Sequence, residues 1–104
     1  MKVEMLARPE FLNPAGLVHG GMLAAMLDET LSPTLAATLD ANEFCPTIEL
    51  KVNFIASAVA GPIYGHGRVV RKGRSICFLD GQLTDVHGKL LATATATSKI
   101  TKMR

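Results

Sequence analysis

An apolar segment with only two ionisable side chains constrains the fold of this chain most strongly. From Gly21 to Leu39 the ionisable residues are Asp28 and Glu29, and most of the others are leucine, methionine, alanine and threonine. The run from Met22 to Leu27 predicts the first turns of a helix. A helix that is apolar nearly all round belongs in the interior of a fold.

The two carboxylates on this helix have different interpretations. Burying a carboxylate costs several kcal/mol unless it is paired or hydrogen-bonded, which favours a functional use for at least one of them. For Asp28 the alternative is structural, with the carboxylate accepting hydrogen bonds from nearby backbone or threonine donors. Glu29 lies about 100° further round the helix, and we predict that it simply reaches solvent.

The residues just before the helix supply backbone donors. Gly20 and Gly21 follow His19, and two glycines let the main chain turn sharply with no Cβ in the way. The first N–H groups of a helix have no acceptor within it and attract negative charge. The sequence therefore places unpaired donors at Gly20, on the same helix as Asp28.

Length and composition limit what can surround this helix. The chain has 104 residues, 48% of them hydrophobic and 19% charged, which fits a single domain over residues 1–104. A domain of this size buries only about 60 to 68% of its extended surface. Since the mean hydropathy is +0.26, we expect further apolar area to be covered by self-association.

Charge, apolar runs and cysteines exclude several classes of protein. A net charge of +2 is too small to indicate a nucleic-acid partner. No apolar run free of charge and proline approaches about 18 residues, so we predict no membrane span. Cys45 and Cys77 lack metal-ligand spacing, and we predict a loop thiol and a core thiol without a bound metal. With no secretory signal, a reduced cytoplasmic setting is expected.

Several segments alternate as strands do. The clearest, Thr47 to Phe54, predicts Ile48 on an apolar face with Leu50, Val52 and Phe54, and Thr47 on a polar face. Gly73 and Gly88 are the natural turn positions of two antiparallel hairpins. The remaining predicted strands are Val3 to Arg8, an edge strand before Pro9, and Ile63 to Arg71, Ser75 to Thr84 and Lys89 to Thr101.

One helix and about five mostly antiparallel strands predict an α+β fold in which the sheet covers the helix. The last strand alternates Ala92, Ala94 and Ala96 with threonines, which predicts a smooth face for close helix packing. Pro33 removes a helical hydrogen bond, so we expect a bend near Ser32 and a helix that continues to about Leu39.

The residues around the helix start carry a family resemblance. The spaced set resembles that of the PaaI-like acyl-CoA thioesterases, which have the hotdog fold, and it consists of Asn13, Gly16, His19, Gly20, Gly21 and Asp28. Thr47 to Phe54, Val69 to Ser75 and Asp85 to Leu91 are also similar to strands and turns of that family. The resemblance implies one long central helix wrapped by an antiparallel sheet. It also implies a homodimer that often doubles to a homotetramer.

Thioester hydrolysis gives roles to four of the matched residues and to one residue of the strand after the helix. The Gly20 N–H, at the positive end of the helix dipole, would polarise the thioester carbonyl, and Asp28 would act as general base or as nucleophile. Asn13 either holds its loop or helps to polarise the thioester, and His19 either donates to it or braces the loop. Family members often carry a Ser or Thr near the start of the strand after the helix, where it orients water beside the helical Asp, and Thr47 is the candidate for this role.

The active site is expected to be shared between subunits. Gly20 and Asp28 are eight residues apart, which is about 12 Å along a helix, too far for both to act on one carbonyl. We therefore predict that Gly20, His19 and Asn13 of one protomer meet Asp28 of its partner, as the family resemblance also implies.

The coenzyme A part of the substrate has a candidate site at the hairpin turn around Gly73. The turn Arg71-Lys72-Gly73-Arg74-Ser75 puts three cations where nucleotide phosphates could bind, with Gly21 on the substrate side of the helix start. The alternative interpretation is a hairpin tip that is simply solvated, and the charges alone favour it. The resemblance to the family's Gly-Arg/Lys-Ser/Thr turn gives the two interpretations about equal weight. No further cofactor is predicted, because coenzyme A belongs to the substrate.

One difference from the family bears on the acyl pocket, and two alternative functions stay open. Most PaaI-like chains begin with an amino-terminal helix that closes one end of the acyl pocket, whereas this chain starts almost at its first strand. We therefore expect a pocket that is wider or that depends more on the partner subunit. The alternative function is a non-catalytic acyl-CoA-binding hotdog module, in which Asp28 is merely satisfied. A hotdog enoyl-CoA hydratase ranks third, because Asp28 with His19 upstream does not resemble that family's Asp and His pair.

Overall fold

The predicted strands form one antiparallel sheet. A computed structural model describes residues 1–103. The strands are β1 (Lys2–Ala7), β2 (Glu43–Phe44), β3 (Thr47–Phe54), β4 (Gly61–Lys72), β5 (Ile76–Thr84), β6 (Leu90–Lys99) and β7 (Thr101–Lys102). The five main strands lie in the order β1-β4-β5-β6-β3, with every neighbouring pair antiparallel. The first strand is an edge strand, as predicted, and β3 forms the other edge.

A second, two-stranded sheet was not predicted. Strand β2 pairs antiparallel with β7, Glu43 opposite Lys102 and Phe44 opposite Thr101. The segment predicted as one strand to Thr101 is therefore interrupted, and at the interruption the Ile100 N–H donates to Ser75 O at 2.7 Å. Two-residue strands are too short to carry a periodic signal, which is why the sequence did not indicate them.

A single helix, α1 (Gly20–Ala36), crosses one face of the five-stranded sheet. Its predicted extension to Leu39 is wrong, because the next residues form a tight turn in which the Thr38 N–H donates to Leu35 O at 2.9 Å. The Thr38 hydroxyl donates to the same carbonyl at 2.7 Å. Pro33, inside the last turn, has no N–H to extend the helical pattern. The bend near Ser32 stays a prediction.

The closest approach between helix and sheet is made by glycines. A Cβ built on Gly65 of β4 would overlap Thr30 of the helix, and one on Gly67 would overlap Thr34. Each threonine hydroxyl donates to a helix carbonyl four residues earlier at 2.8 Å, so these buried hydroxyls are satisfied. The helix packs mainly on β4 and β5 and also contacts β6, whose Ala92, Ala94 and Ala96 are buried in the same core.

A bulge in β3 reverses one predicted orientation. Thr47 pairs with Ser98, and the next paired residue, Glu49, faces Thr97, so Ile48 is an extra residue in the strand. Ile48 therefore points away from the core, with 57% of its surface exposed. Thr47 joins the helix-facing side instead of the polar face, because a bulge re-aims the side chain that precedes it.

One side of the helix is open to solvent in the single chain. Gly21, Ala25, Glu29 and Ala36 are exposed and Asp28 is half-buried, so the prediction of a fully buried helix is wrong for this side. The prediction that Glu29 reaches solvent is confirmed. Within residues 1–103 no helix is long and apolar enough to cross a membrane.

Candidate functional site

The carboxylate of Asp28 is held by a side chain from the start of β3. The Thr47 hydroxyl donates to Asp28 Oδ1 at 2.8 Å, and both residues are half-buried. This contact depends on the bulge at Ile48, which turns Thr47 toward the helix. The bond is compatible with both interpretations of Asp28, a satisfied structural carboxylate and a positioned reactive one.

The start of α1 carries two backbone donors without an acceptor. Among the hydrogen bonds of residues 1–103, none uses the N–H of Gly20 or of Gly21. His19 occupies the N-cap position, where its carbonyl accepts from Met22 at 3.0 Å and its own N–H donates to Phe11 O at 2.9 Å. Its imidazole is exposed and makes no capping bond. The His19 main chain therefore braces the loop and leaves both glycine donors open.

Asn13 organises the loop that leads into the helix. Its side-chain oxygen accepts from the Ala15 N–H at 2.9 Å and from the Leu17 N–H at 3.2 Å. Its own N–H donates to Leu17 O at 2.7 Å, and Gly16 closes the turn with a φ of +79°. A left-handed φ of this size favours glycine. No described hydrogen bond uses the Asn13 side-chain NH2 group, so that group remains able to donate.

A groove of about 350 Å³ joins this loop to the helix start. Asn13 and Gly20 line it from the loop side, and its other wall comes from the end of β3 and the chain that follows, including Phe54, Ile55, Ser57 and Ala58. The side chains of this wall are apolar apart from Ser57, although more than half of the exposed surface of the groove is polar. The groove therefore combines polar main-chain groups with apolar side chains, as sites for partly apolar ligands do.

Phe54 is a groove residue that the sequence did not identify. A Cβ built on Gly20 would lie 3.2 Å from Phe54 Cζ and 3.3 Å from Cε1. The ring edge thus rests against the Cα of Gly20, the residue with the open N–H. Phe54 was predicted as an ordinary member of the apolar face of β3, and alternation by itself cannot separate a core residue from a groove residue.

Within one chain the structure does not bring the two halves of the predicted site together. Gly20 and Asp28 lie in the same uninterrupted helix, about 12 Å apart along its axis. Gly20 contacts the end of β3 at Phe54, whereas Asp28 contacts its beginning at Thr47. Strand β3 is a free edge of the sheet, so both ends are accessible to another chain.

The predicted coenzyme A turn lies at the tip of the β4–β5 hairpin. Register pairs link Lys72 to Cys77, Cys77 to Ser98 and Ser98 to Thr47, so the tip and Asp28 are near the same end of the sheet. Lys72 donates from Nζ to Thr38 O at 2.7 Å, just beyond the helix end.

The other tip residues have different roles. Arg71 and Arg74 are exposed, and neither side chain makes a hydrogen bond within the described residues, as is also true of the exposed Ser75 hydroxyl. Gly73 closes the turn by donating its N–H to Ile76 O at 3.0 Å. Two cations are thus free at the tip, and the third is bound to the helix end.

Cys45 lies near the candidate site, half-buried before β3, and its thiol contacts Ser32 O at 3.8 Å. Burial raises the pKa of this thiol above its usual value of 9.0, and the neighbouring Cys77 and Asp28 add to the effect. Cys77 is completely buried, which confirms its predicted core position.

Alkylation of Cys45 should therefore be slow at neutral pH. The thiolate is the reactive form, so the rate of iodoacetamide labelling should keep rising above about pH 10, where a thiol with the usual pKa of 9.0 is already mostly ionised. Peptide mass spectrometry would follow the modification, with the urea-unfolded protein as the reference. A folded-state rate that levels off together with that of the unfolded protein would contradict the raised pKa.

Other titratable residues form no comparable cluster. Within residues 1–103 no group of three or more His, Cys, Asp or Glu side chains could hold a metal ion. His66 lies 3.3 Å from the Thr84 hydroxyl on the outer side of the sheet, and His87 is exposed in the β5–β6 turn. Arg68 and Asp80 form an exposed ion pair that lowers the pKa of Asp80.

Comparison with known proteins identifies the family. The family model described as thioesterase superfamily matches residues 15–92. A phenylacetic acid degradation-related protein from Ralstonia eutropha JMP134, provisionally named a thioesterase, superposes with a TM-score of 0.91 and 43% identity, covering 94% of this chain and 74% of that one.

Two curated relatives carry hydrolase names. A provisionally named esterase of Saccharolobus solfataricus is 34% identical over 92 residues, 88% of this chain, and the match spans 65% of that protein's length. The 1,4-dihydroxy-2-naphthoyl-CoA hydrolase of Listeria monocytogenes is 26% identical over 88% of this chain and 75% of its own length. With its hotdog arrangement of one helix on a five-stranded antiparallel sheet, the chain belongs to the thioesterase superfamily.

Proposed function

We propose that this protein is an acyl-CoA thioesterase that cleaves an acyl- or aryl-CoA thioester with water to give the free acid and coenzyme A. The observation that carries the proposal is the pair of contacts at the two ends of β3. A positioned carboxylate, Asp28, lies at one end, and an open helix N–H, that of Gly20, lies at the other. Membership of the thioesterase superfamily and the hydrolase names of relatives support the same reaction.

The complete site forms between two subunits. Because β3 is an edge strand, a second copy can pair with it antiparallel about a two-fold axis. Such pairing brings the Thr47 end of one β3 beside the Phe54 end of the other. Asp28 of one protomer then faces the Gly20 donor and the Asn13 loop of its partner. The exposed Ile55 beside this edge supplies apolar surface for the contact, and further pairing of dimers gives the expected homotetramer.

The chemistry divides between the two protomers. The Gly20 N–H, assisted by the Asn13 side-chain NH2, donates to the thioester oxygen as negative charge develops there. Asp28, oriented by the Thr47 hydroxyl, removes a proton from water that attacks the carbonyl carbon, or attacks it directly to give an anhydride that water then cleaves. In either route the carbon–sulfur bond breaks and the thiolate takes up a proton. In a single turnover in 18O-labelled water, 18O in Asp28 identifies the anhydride route, because it enters the side chain only when water attacks the Asp28 carbonyl of an anhydride.

Coenzyme A binds with its phosphates at the hairpin tip. Arg71 and Arg74 are exposed and free of protein acceptors, which suits charge-assisted contacts with phosphate oxygens. Lys72 already binds the helix end, so it contributes less than the two arginines. Gly21 contributes its open N–H at the helix start. The acyl group occupies the groove beside Phe54.

Mixing two inactive variants tests the shared site. Asp28→Asn removes the carboxylate, and Gly20→Pro removes the N–H while suiting the first helical position, where His19 already has an extended ψ of 138°. Each variant alone should be inactive. If the variants are refolded together, random pairing should restore about a quarter of the wild-type activity, because half of the dimers are mixed and each has one intact site.

The control for this experiment is a mixture of either variant with a protein that carries both substitutions, which cannot form an intact site. A mixture of the two single variants that stays inactive, although mass spectrometry detects mixed dimers, would contradict the shared site. Activity of a monomer at low protein concentration would contradict it as well.

Thiol release from short aliphatic, long aliphatic and aryl acyl-CoA thioesters tests the reaction itself. The alternative function is a binding module that holds acyl-CoA without turnover. Stoichiometric acyl-CoA binding by a folded dimer, with no thiol release from any thioester and no change in affinity in Asp28→Ala, would favour the module over the enzyme.

A further inference from the structure

The position of Phe54 allows it to discriminate between acyl groups. It is the last residue of β3 and lines the same groove as Gly20, and 56% of its surface is exposed. The tip of the ring, Cζ, is the atom nearest to the position of a Gly20 Cβ, at 3.2 Å. Gly20 therefore does two things, since it offers an N–H and leaves space for the ring edge.

The backbone beneath the ring is firmly held. Phe54 pairs with the fully buried Ala92. The two residues after it, Ile55 and Ala56, both donate their N–H groups to Leu91 O, at 2.9 and 3.1 Å. The Cα that carries the ring is therefore fixed. One side of the ring contacts Gly20, and the other side faces the open groove.

Bond lengths locate the part of the substrate that meets this ring. A carbonyl oxygen accepting from the Gly20 N–H lies about 2.9 Å from the nitrogen, and the carbonyl carbon is about 1.2 Å further. The first acyl carbon beyond the carbonyl then lies roughly 5 Å from the nitrogen, within reach of the Phe54 ring that contacts the same residue. Hydrogens on this carbon leave room for the ring, whereas a methyl branch directed toward Phe54 would collide with it.

We propose that Phe54 is a specificity-determining residue that selects thioesters unbranched at the carbon next to the carbonyl. The inference rests on the proposed thioesterase function and on the carbonyl binding at Gly20. It predicts that a linear acyl group, or an aryl group attached through a CH2, is preferred over an acyl group with a methyl branch at that carbon. The chain beyond this carbon is left to the rest of the groove.

A comparison of butyryl-CoA with isobutyryl-CoA tests the proposal directly. The two acyl groups have the same atoms and differ only in branching, so the change in the ratio of their kcat/KM values between the wild type and Phe54→Ala isolates the contact with the ring. We expect the wild type to favour butyryl-CoA and Phe54→Ala to reduce that preference by about tenfold or more, the typical effect of one methyl group in a tight pocket. The matched control is Val59→Ala, an exposed apolar residue on the following loop that does not line this groove.

A second variant tests whether the ring acts through Gly20. Gly20→Ala keeps the N–H, suits a helix and moves the ring edge by adding a Cβ. It should change the ratio in the wild-type background and leave it unchanged in the Phe54→Ala background. Equal effects of Gly20→Ala in both backgrounds would overturn the proposal, as would an unchanged ratio in Phe54→Ala.

Failure of the proposed function is a distinct result. If the wild type releases no thiol from either compound, the same ratio is measured as the ratio of dissociation constants by calorimetry. A preference for butyryl-CoA that Phe54→Ala abolishes would then support selection by Phe54 in a protein that binds acyl-CoA without hydrolysing it. Equal affinities in the wild type would overturn it.

Discussion

Replacement of Asp28 by asparagine should lower kcat for thioester hydrolysis by a factor of about 100 or more, or roughly 2.7 kcal/mol in the activation barrier. Asparagine has the same shape, and its side-chain oxygen can still accept the hydrogen bond from the Thr47 hydroxyl. The substitution therefore preserves the packing at the start of β3. It removes the group that takes a proton from water or attacks the carbonyl, and that loss falls on kcat.

Glu29→Gln is the matched control for this prediction. Glu29 is the neighbouring carboxylate on the same helix, and it is exposed. Its replacement changes the net charge by the same amount and should leave kcat near the wild-type value. Steady-state thiol release checks both variants, with circular dichroism to verify folding. If the Asp28→Asn protein folds and keeps the wild-type kcat, the prediction is wrong. Asp28 is then a structural residue whose carboxylate accepts a hydrogen bond from Thr47.

Replacement of Gly65 by alanine should destabilise the fold by about 3 kcal/mol, near the upper end of the usual cost of overpacking. The new methyl group would overlap Thr30, which is fully buried and whose hydroxyl donates to Met26 O. Turning the threonine aside would break that bond inside the core, and shifting the helix would disturb the leucines beneath it. Both adjustments raise the free energy of the folded state, because packed interiors leave few voids.

Gly21→Ala is the matched control, because no atom lies within 4 Å of its added Cβ. Alanine in a helix is favoured over glycine by about 0.8 to 1.0 kcal/mol, so this variant should be unchanged or more stable. Urea unfolding at one protein concentration compares the midpoints, since the stability of an oligomer depends on concentration. An unchanged midpoint in Gly65→Ala would mean that helix and sheet do not approach as closely as described.

Much of the fold was predictable from local pattern. Thr47–Phe54 was predicted with its observed ends because apolar and polar residues alternate along it and turn residues flank it. The start of α1 was predictable from the change from Gly20 and Gly21 to an apolar run. The helix end was not, because residues 37–39 remain apolar or helix-compatible and only the hydrogen bonds after Pro33 decide where the helix stops.

The candidate site was predictable in its residues and unpredictable in its geometry. The spacing from Asn13 to Asp28 identified the residues of both halves of the site. The length of the helix between Gly20 and Asp28 showed that the two halves cannot meet within one chain. The partner of Asp28 was named from resemblance alone, since alternation placed Thr47 on the opposite face of the strand. Phe54 was missed for a related reason, because its role comes from contact with Gly20 and its own sequence neighbours do not indicate that contact.

The sequence by itself determined the number and type of the main elements, the single ionisable patch on the helix and the glycines at its start. These follow from local rules of helix and strand formation that act over a few residues. Only the tertiary structure decided that a bulge at Ile48 turns Thr47 toward Asp28, and that glycines of β4 admit the helix. It also decided that Asp28 and Gly20 contact opposite ends of one free edge strand. Each of these depends on residues distant in sequence meeting across the sheet, where packing and hydrogen bonding outweigh local preference.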